Sequence, residues 1–313
     1  MRGSSGAIQI AISSLRSSFR DSTILLLTIL FLAMVLLSAW LGWSATRTIN
    51  EIYAEAVKFM TAQGTAIPPN PVSEGSALSL LRNMSIYFAL LGALVALVFG
   101  HLVVATDRKS GVIPIIASRP ISMSSYAVGK ILAIVVAISG LTIFAALVNV
   151  VTLLILPGLV LAPDTWIRLT EFYFVSALYM TAFGFLAALC AIEVRSESLA
   201  LLLPVTIWLV LTFVLQQVTA NISPYAALNP LSVTAALPSG PFFAFTDKIL
   251  GPLSLAEAYR SLSMEFLQFS PDHLPHRGVF ASMVTMIVFN VVLATGFTIA
   301  ARFFDASRSD YNE

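Results

Sequence analysis

The chain has 313 residues, 58% of them hydrophobic and 11% charged, with a mean hydropathy of +0.90 and a formal net charge of +1. Soluble domains carry about 25% charged residues, so the charges here are too few to cover a water-facing surface and the apolar excess must face lipid. No basic stretch is dense enough to engage nucleic acid, and the single cysteine, Cys190, lies in an apolar run where it packs as a small hydrophobe outside any intramolecular disulfide framework.

In chain order, Ala7–Arg20 comes first. Ile8, Ile12, Leu15 and Phe19 recur at helical spacing against Ser13, Arg16, Ser17 and Arg20. That pattern predicts an amphipathic helix in the membrane interface, within residues 1–22. Six runs then reach the length needed to cross a bilayer, about 20 apolar residues. They are Thr23–Trp43, Met84–Ala105, Ile131–Leu156, Phe172–Ile192, Leu199–Ala220 and Val279–Ala301. The first is too long for a cleaved signal peptide, and no small-residue cleavage site precedes the polar segment after it. The expected fold is an all-α integral membrane protein: one six-span helical bundle over residues 1–313, with an amino-terminal interfacial helix.

Basic residues set the expected orientation. Arg2, Arg16, Arg20, Arg108, Lys109, Arg119, Lys130, Arg195, Arg302 and Arg308 fall in the shorter, alternate segments. The others are spread over much longer loops. The positive-inside rule then puts both termini and the loop 106–130 in the cytoplasm, with loops 44–83 and 221–278 outside. Within the first outer loop, Thr46–Met60 reads as a helix continuing out of the membrane, broken at Gly64 and Pro68-Pro69-Asn70-Pro71. The last outer loop is proline-rich yet apolar. Leu253–Phe269 suits a short amphipathic helix, and Phe242, Phe243 and Phe245 suit a segment dipping into the interface. Long loops that stay hydrophobic dock onto something: the rest of the protein, a second copy, lipid or an extracytoplasmic protein.

Embedded chemistry is sparse. The interior candidates for transport or catalytic chemistry are His101, Asn149, Gln216, Gln217 and Asn290, and no carboxylate lies at mid-membrane. Ion-coupled transporters keep ionisable groups there, and a membrane protease needs an embedded nucleophile with its base or a carboxylate pair. A secondary transporter is therefore the least favoured reading. His101 reads as a packing residue, and Asn149 and Asn290 as bonds between helices. Gly92, Ala96 and Gly100 form a small-residue stripe that lets another helix approach, as a packing seam or a dimer face. Pro204 removes a backbone donor and is expected to bend the fifth span. Asp272, His273 and His276 carry metal-ligand chemistry, but Pro275 breaks any helix that would align the rings, so a plain polar turn is the stronger reading. There is no phosphate-binding loop. The one Gly-Lys pair is Gly129-Lys130, and Ser124 stands where the leading glycine would fall. The chain is expected to be no enzyme and to hold no cofactor; any ATP and Mg would be bound by another polypeptide.

The segment between the second and third spans carries the functional reading. It opens on Asp107-Arg108-Lys109, breaks at Gly111, runs through an apolar stretch holding Ile113, Ile115 and Ile116, turns at Ser118-Arg119-Pro120, and enters the third span through Gly129-Lys130. A short amphipathic element between two membrane helices is what a peripheral motor would grip. The segment resembles the corresponding loop of ABC-2-type permeases of ATP-binding-cassette transporters at Gly111, Ser118, Arg119, Pro120, Ser122, Gly129 and Lys130. Leu228-Asn229-Pro230 is similar to an element of their last outer loop. Two features depart from the pattern: Asp107 stands near the usual leading Glu, and Pro114 sits inside the loop. The proportions look most like the branch containing NosY.

The resemblance implies a homodimer of permeases working with a separate ATP-binding-cassette ATPase subunit, in export or in work on an extracytoplasmic partner. It also implies the ATPase contacts. These are Asp107, Arg108, Lys109, Gly111, Ile113, Ile115, Ile116, Ser118 and Arg119, with a smaller contact through Glu193, Arg195 and Glu197. The rival from another class is a membrane enzyme or assembly factor that needs no ATP.

Overall fold

The computed structural model describes residues 2–65, 70, 77–111, 122–155, 162–219, 240–269 and 277–304, and among these every regular element is helical. In chain order they are α1 (Arg2–Ser18), α2 (Ser22–Gln63), α3 (Leu78–Lys109), α4 (Met123–Ile155), α5 (Pro163–Glu193), α6 (Glu197–Val218), α7 (Pro241–Leu250), α8 (Leu255–Phe266) and α9 (Val279–Arg302). Six of them, α2 to α6 and α9, are long and apolar enough to cross a membrane.

Helix α2 starts where Asp21 accepts hydrogen bonds from the amides of Thr23, at 2.8 Å, and Ile24, at 3.4 Å, satisfying donors the first turn leaves free. It ends at Gly64, whose φ of +69° is left-handed. The first span and the helix expected at Thr46–Met60 are thus one 42-residue rod. At 1.5 Å per residue it is about 60 Å long, roughly twice a hydrocarbon core, so half of it stands clear of the membrane.

Burial separates an inner pair of helices from an outer ring. The most apolar stretch of α5 is 83% buried and that of α3 72%, against 22–33% for α2, α4, α6 and α9. The small-residue stripe of α3 is the reason. A Cβ on Gly100 would lie 2.0 Å from the Gly184 carbonyl oxygen of α5, and one on Gly92 would lie 3.1 Å from the Met180 sulfur. The stripe is therefore spent on α5 inside the same chain, which removes the dimer-face reading. Asn149 donates to the Tyr173 hydroxyl at 2.6 Å, and Asn290 donates to the Leu178 carbonyl at 2.9 Å while accepting from Thr181 at 2.8 Å. Both bond between helices, as expected. His101 is buried in α3. In α6 the α-helix runs through Pro204 to Leu209, and a wide π turn follows at Val210–Val214.

At the end of the bundle opposite α1, α7 leaves Phe242 and Phe245 exposed, while every residue of α8 except Glu265 is buried. Helix α8 docks on its own chain. Tyr259 stacks on Tyr179 of α5 at 4.4 Å between ring centroids, and its hydroxyl pairs with Ser176 at 2.9 Å. Its polar side is covered too. Arg277 reaches Glu257 at 3.3 Å and Asp247 of α7 at 3.2 Å, tying both short helices to the entry of α9. Pro68, Pro69, Pro71 and Leu228-Asn229-Pro230 lie outside the described residues.

Candidate functional site: the base of the loop between the second and third spans

The last turn of α3 delivers Asp107, Arg108 and Lys109. It closes through the Ser110 amide on the Thr106 carbonyl at 3.1 Å and turns off at Gly111, whose φ is +62°. This is the left-handed position that favours glycine at a helix end, so the glycine break read from the sequence is a helix stop. The chain re-enters at Ser122, whose hydroxyl accepts from the Ser125 amide at 3.2 Å. The first two turns of α4 then present Tyr126, Gly129 and Lys130.

Lys130 is the centre of the site. Its side chain is 2% exposed, and its ammonium pairs with Asp107 at 2.6 Å while donating to the Val103 carbonyl at 2.7 Å and the Ser14 hydroxyl at 2.8 Å. An ammonium has three N–H donors, and each has an acceptor here. Tyr126, fully buried, donates to the same Asp107 oxygen at 3.0 Å. A buried charge is tolerated when paired and hydrogen-bonded, and both conditions hold. Asp107 precedes the loop while Tyr126 and Lys130 follow it, so the two ends of the loop are tied together at its base.

Ser14 brings in α1. A strip of Ala7, Ala11, Ser14 and Ser18 is buried. A Cβ on Gly129 would lie 2.7 Å from the Ala7 carbonyl oxygen and 2.8 Å from Ile10 Cβ. The Gly-Lys pair thus has two structural jobs: Gly129 lets α1 lie against α4, and Lys130 bonds it there.

The second set of expected contacts meets the first. Lys109 pairs with Glu197 at 2.6 Å. The Arg108 guanidinium donates to the carbonyls of Ala191, at 2.8 Å, and Val194, at 2.6 Å, and lies 5.7 Å from the centre of the Phe304 ring. Those two carbonyls belong to the end of α5 and the turn after it, so Arg108 fastens that turn to the end of α3. Arg108 is only 2% exposed, which corrects the expectation that it meets a partner: it braces the site from inside. Glu193 and Arg195 are exposed beside a polar cavity of about 90 Å³, lined also by Arg108, Phe303 and Phe304. Arg302, at the end of α9, donates to Ser124 at 2.9 Å. Helices α1, α5, α6 and α9 thus each have a bond or ring contact to the base.

Ile113, Ile115, Ile116, Ser118 and Arg119 lie outside the described residues, as do Asp272, His273 and His276. Among the described residues no group of His, Cys, Asp and Glu is placed to hold a metal ion. Three participants were missing from the expected contacts: Ser14, Tyr126 and Lys130. Lys130 had a visible signal, a basic residue heading an apolar run after glycine. Ser14 and Tyr126 had none.

No curated protein sequence matches the chain at a significant level. The family model described as ABC-2 family transporter protein matches residues 8–308, from within α1 to beyond α9. That span includes the six membrane helices, the loop base and the outer helices together. Members are membrane components of ABC transporters, not catalytic themselves, and imply an ATPase partner. The chain is a multi-pass cell-membrane protein that belongs to the ABC-2 family of transporter proteins.

Proposed function

We propose that this chain is the permease subunit through which a separate ATP-binding-cassette ATPase, holding the ATP and Mg, does work across the membrane. Residues 112–121 are the handle the ATPase grips, with Ile113, Ile115 and Ile116 as its apolar contact and Ser118 and Arg119 as its polar edge. Glu193, Arg195 and the Lys109–Glu197 pair form the smaller second contact. Both termini and this handle face the cytoplasm, following the positive-inside bias. Two copies of the chain pair, and the direction of work is export or action on an outer protein.

The observation that carries this reading is the locked base. A push on a loop whose ends were free would be absorbed by the loop. Here the ends are joined by the Asp107–Lys130 pair at 2.6 Å, and the base is bonded to α1, the end of α5 and the start of α6. Displacement of the handle therefore moves the ends of several helices as one body. Coupling of this kind runs through packed elements and hydrogen-bonded networks.

Copurification tests it. Wild-type chain extracted in mild detergent retains an ATP-binding-cassette subunit. The double variant Ile115→Asp, Ile116→Asp loses it while keeping its own melting behaviour. Wild-type chain that never retains such a subunit, under conditions preserving the fold, refutes the reading.

A further inference from the structure

Helix α1 presents more than the face it turns to α4. Three strips run side by side along it and the turn that follows it. The first is the buried strip of Ala7, Ala11, Ser14 and Ser18. Next to it Ile8, Ile12 and Phe19 stay open, at 51%, 46% and 55% exposure. Beyond these come Arg16 and Arg20, both exposed and neither in an ion pair among the described residues. The helix ends at Ser18 and α2 begins at Ser22, capped by Asp21, so α1 lies at the level where the chain enters the membrane.

We propose that α1 binds anionic phospholipid, and that the charge of the surrounding headgroups sets its seating and is relayed through Ser14 to the loop base. The open apolar strip needs hydrocarbon beside it, and at this depth the acyl chains supply it. The two guanidiniums border that strip, at the level of the headgroup phosphates, where they form charge-assisted, often bidentate bonds. A zwitterionic headgroup cancels its own phosphate with a cation, while an anionic one leaves a net charge for the arginines to collect. Seating and coupling are linked because the Ser14 hydroxyl that α1 contributes accepts a bond from Lys130, the residue holding both ends of the loop. A shift of α1 toward or away from the headgroups changes the third partner of that ammonium. The lipid half of the proposal stands on α1 alone; the relay half rests on the proposed coupling function.

The test uses the full chain in lipid nanodiscs. With Cys190→Ala as background, Phe19→Cys carries a bimane, and quenching is compared between nitroxide-labelled phosphatidylglycerol and phosphatidylcholine at equal mole fraction. The glycerol lipid should quench about threefold more strongly. The preference should vanish in molar salt and in the Arg16→Gln, Arg20→Gln variant. Equal quenching by the two lipids overturns the lipid half. For the relay, the chain is assayed with its ATP-binding subunit: phosphatidylglycerol should change ATP turnover at least about twofold, and Ser14→Ala should keep the quenching preference while losing that response. Turnover indifferent to headgroup charge, beside intact quenching preference, overturns the relay alone. If Arg16→Gln, Arg20→Gln releases the ATP-binding subunit and leaves quenching unchanged, α1 faces the protein and not the lipid. A complex showing no ATP turnover at all counts against the coupling function and leaves the quenching result untouched.

Discussion

Asp107→Asn removes the countercharge from Lys130 while keeping the shape of the side chain. In the wild type the ammonium is 2% exposed and Asp107 22% exposed, 2.6 Å apart. Breaking a buried pair by neutralising one member costs about 3–5 kcal/mol, because the remaining charge stays buried without compensation. Lys130 keeps two neutral acceptors, Ser14 and the Val103 carbonyl, which places the expected cost near the lower end, about 3 kcal/mol. Lys130→Met costs less, since the stranded Asp107 is nearer solvent and still accepts from Tyr126. The double variant Asp107→Asn, Lys130→Met strands no charge and should be more stable than Asp107→Asn alone, a non-additivity that a double-mutant cycle measures. The chain has one cysteine, Cys190, and it is buried. A thiol-reactive dye that fluoresces on reaction therefore reports unfolding without further engineering. On that scale Asp107→Asn should lower the apparent melting temperature by on the order of 5 °C. Single effects that simply add in the double variant would refute the claim that the charge pair holds the base.

Gly129→Val should dislodge α1, because even the first added carbon meets Ala7 and Ile10; faster trypsin cleavage after Arg16 and Arg20 is the readout. Gly100→Ala drives a methyl into the Gly184 backbone and should cost about 3 kcal/mol, whereas Gly140→Ala, with no atom near the new carbon, should leave the dye-monitored melt unchanged. The outer end should respond to pH. Burial, opposed by Arg277 and Arg260, holds the Glu257 carboxyl above its ordinary value. Folded α8 therefore binds that proton more tightly than the unfolded segment does. Its contribution to docking is fully present below the ordinary carboxylate range and is lost as pH rises through the raised folded value. Hydrogen exchange across 255–266 should accordingly show stronger protection, relative to the intrinsic rate, on the acid side, and Glu257→Gln should flatten that dependence.

Local pattern carried some of these features and long-range partners carried the rest. The six spans were legible because each must offer about 20 apolar residues to lipid, a signal that needs no knowledge of neighbours. Their ends were only partly legible: the run of α2 through Thr46–Met60 showed in its pattern, but α5 begins at Pro163, nine residues before the apolar run at Phe172, since a helix does not stop where hydrocarbon does. The stripe at Gly92, Ala96 and Gly100 announced a close approach, but only the position of Gly184 shows it to be internal. Helix α8 reads as a surface helix because Glu257 and Arg260 look like a solvated face, and the arginine that covers Glu257 sits 20 residues further on. The loop base was half legible. Gly111 and Gly129-Lys130 stand out in the sequence, but Lys130 reaches Ser14 across 116 residues and Arg108 reaches Ala191 across 83. Periodicity has no access to bonds of that span, so Arg108 read as an exposed contact when it is an internal brace.

The central claim is that an ATPase holds this bundle by the segment between α3 and α4. A photo-crosslinking amino acid at Ile116, activated in intact cells and followed by mass spectrometry of the product, tests it most directly. The account predicts a covalent adduct to an ATP-binding-cassette subunit, lost when Ile115 is also changed to Asp. An adduct to an extracytoplasmic protein, or no adduct to an ATP-binding subunit while the complex is intact, would contradict it.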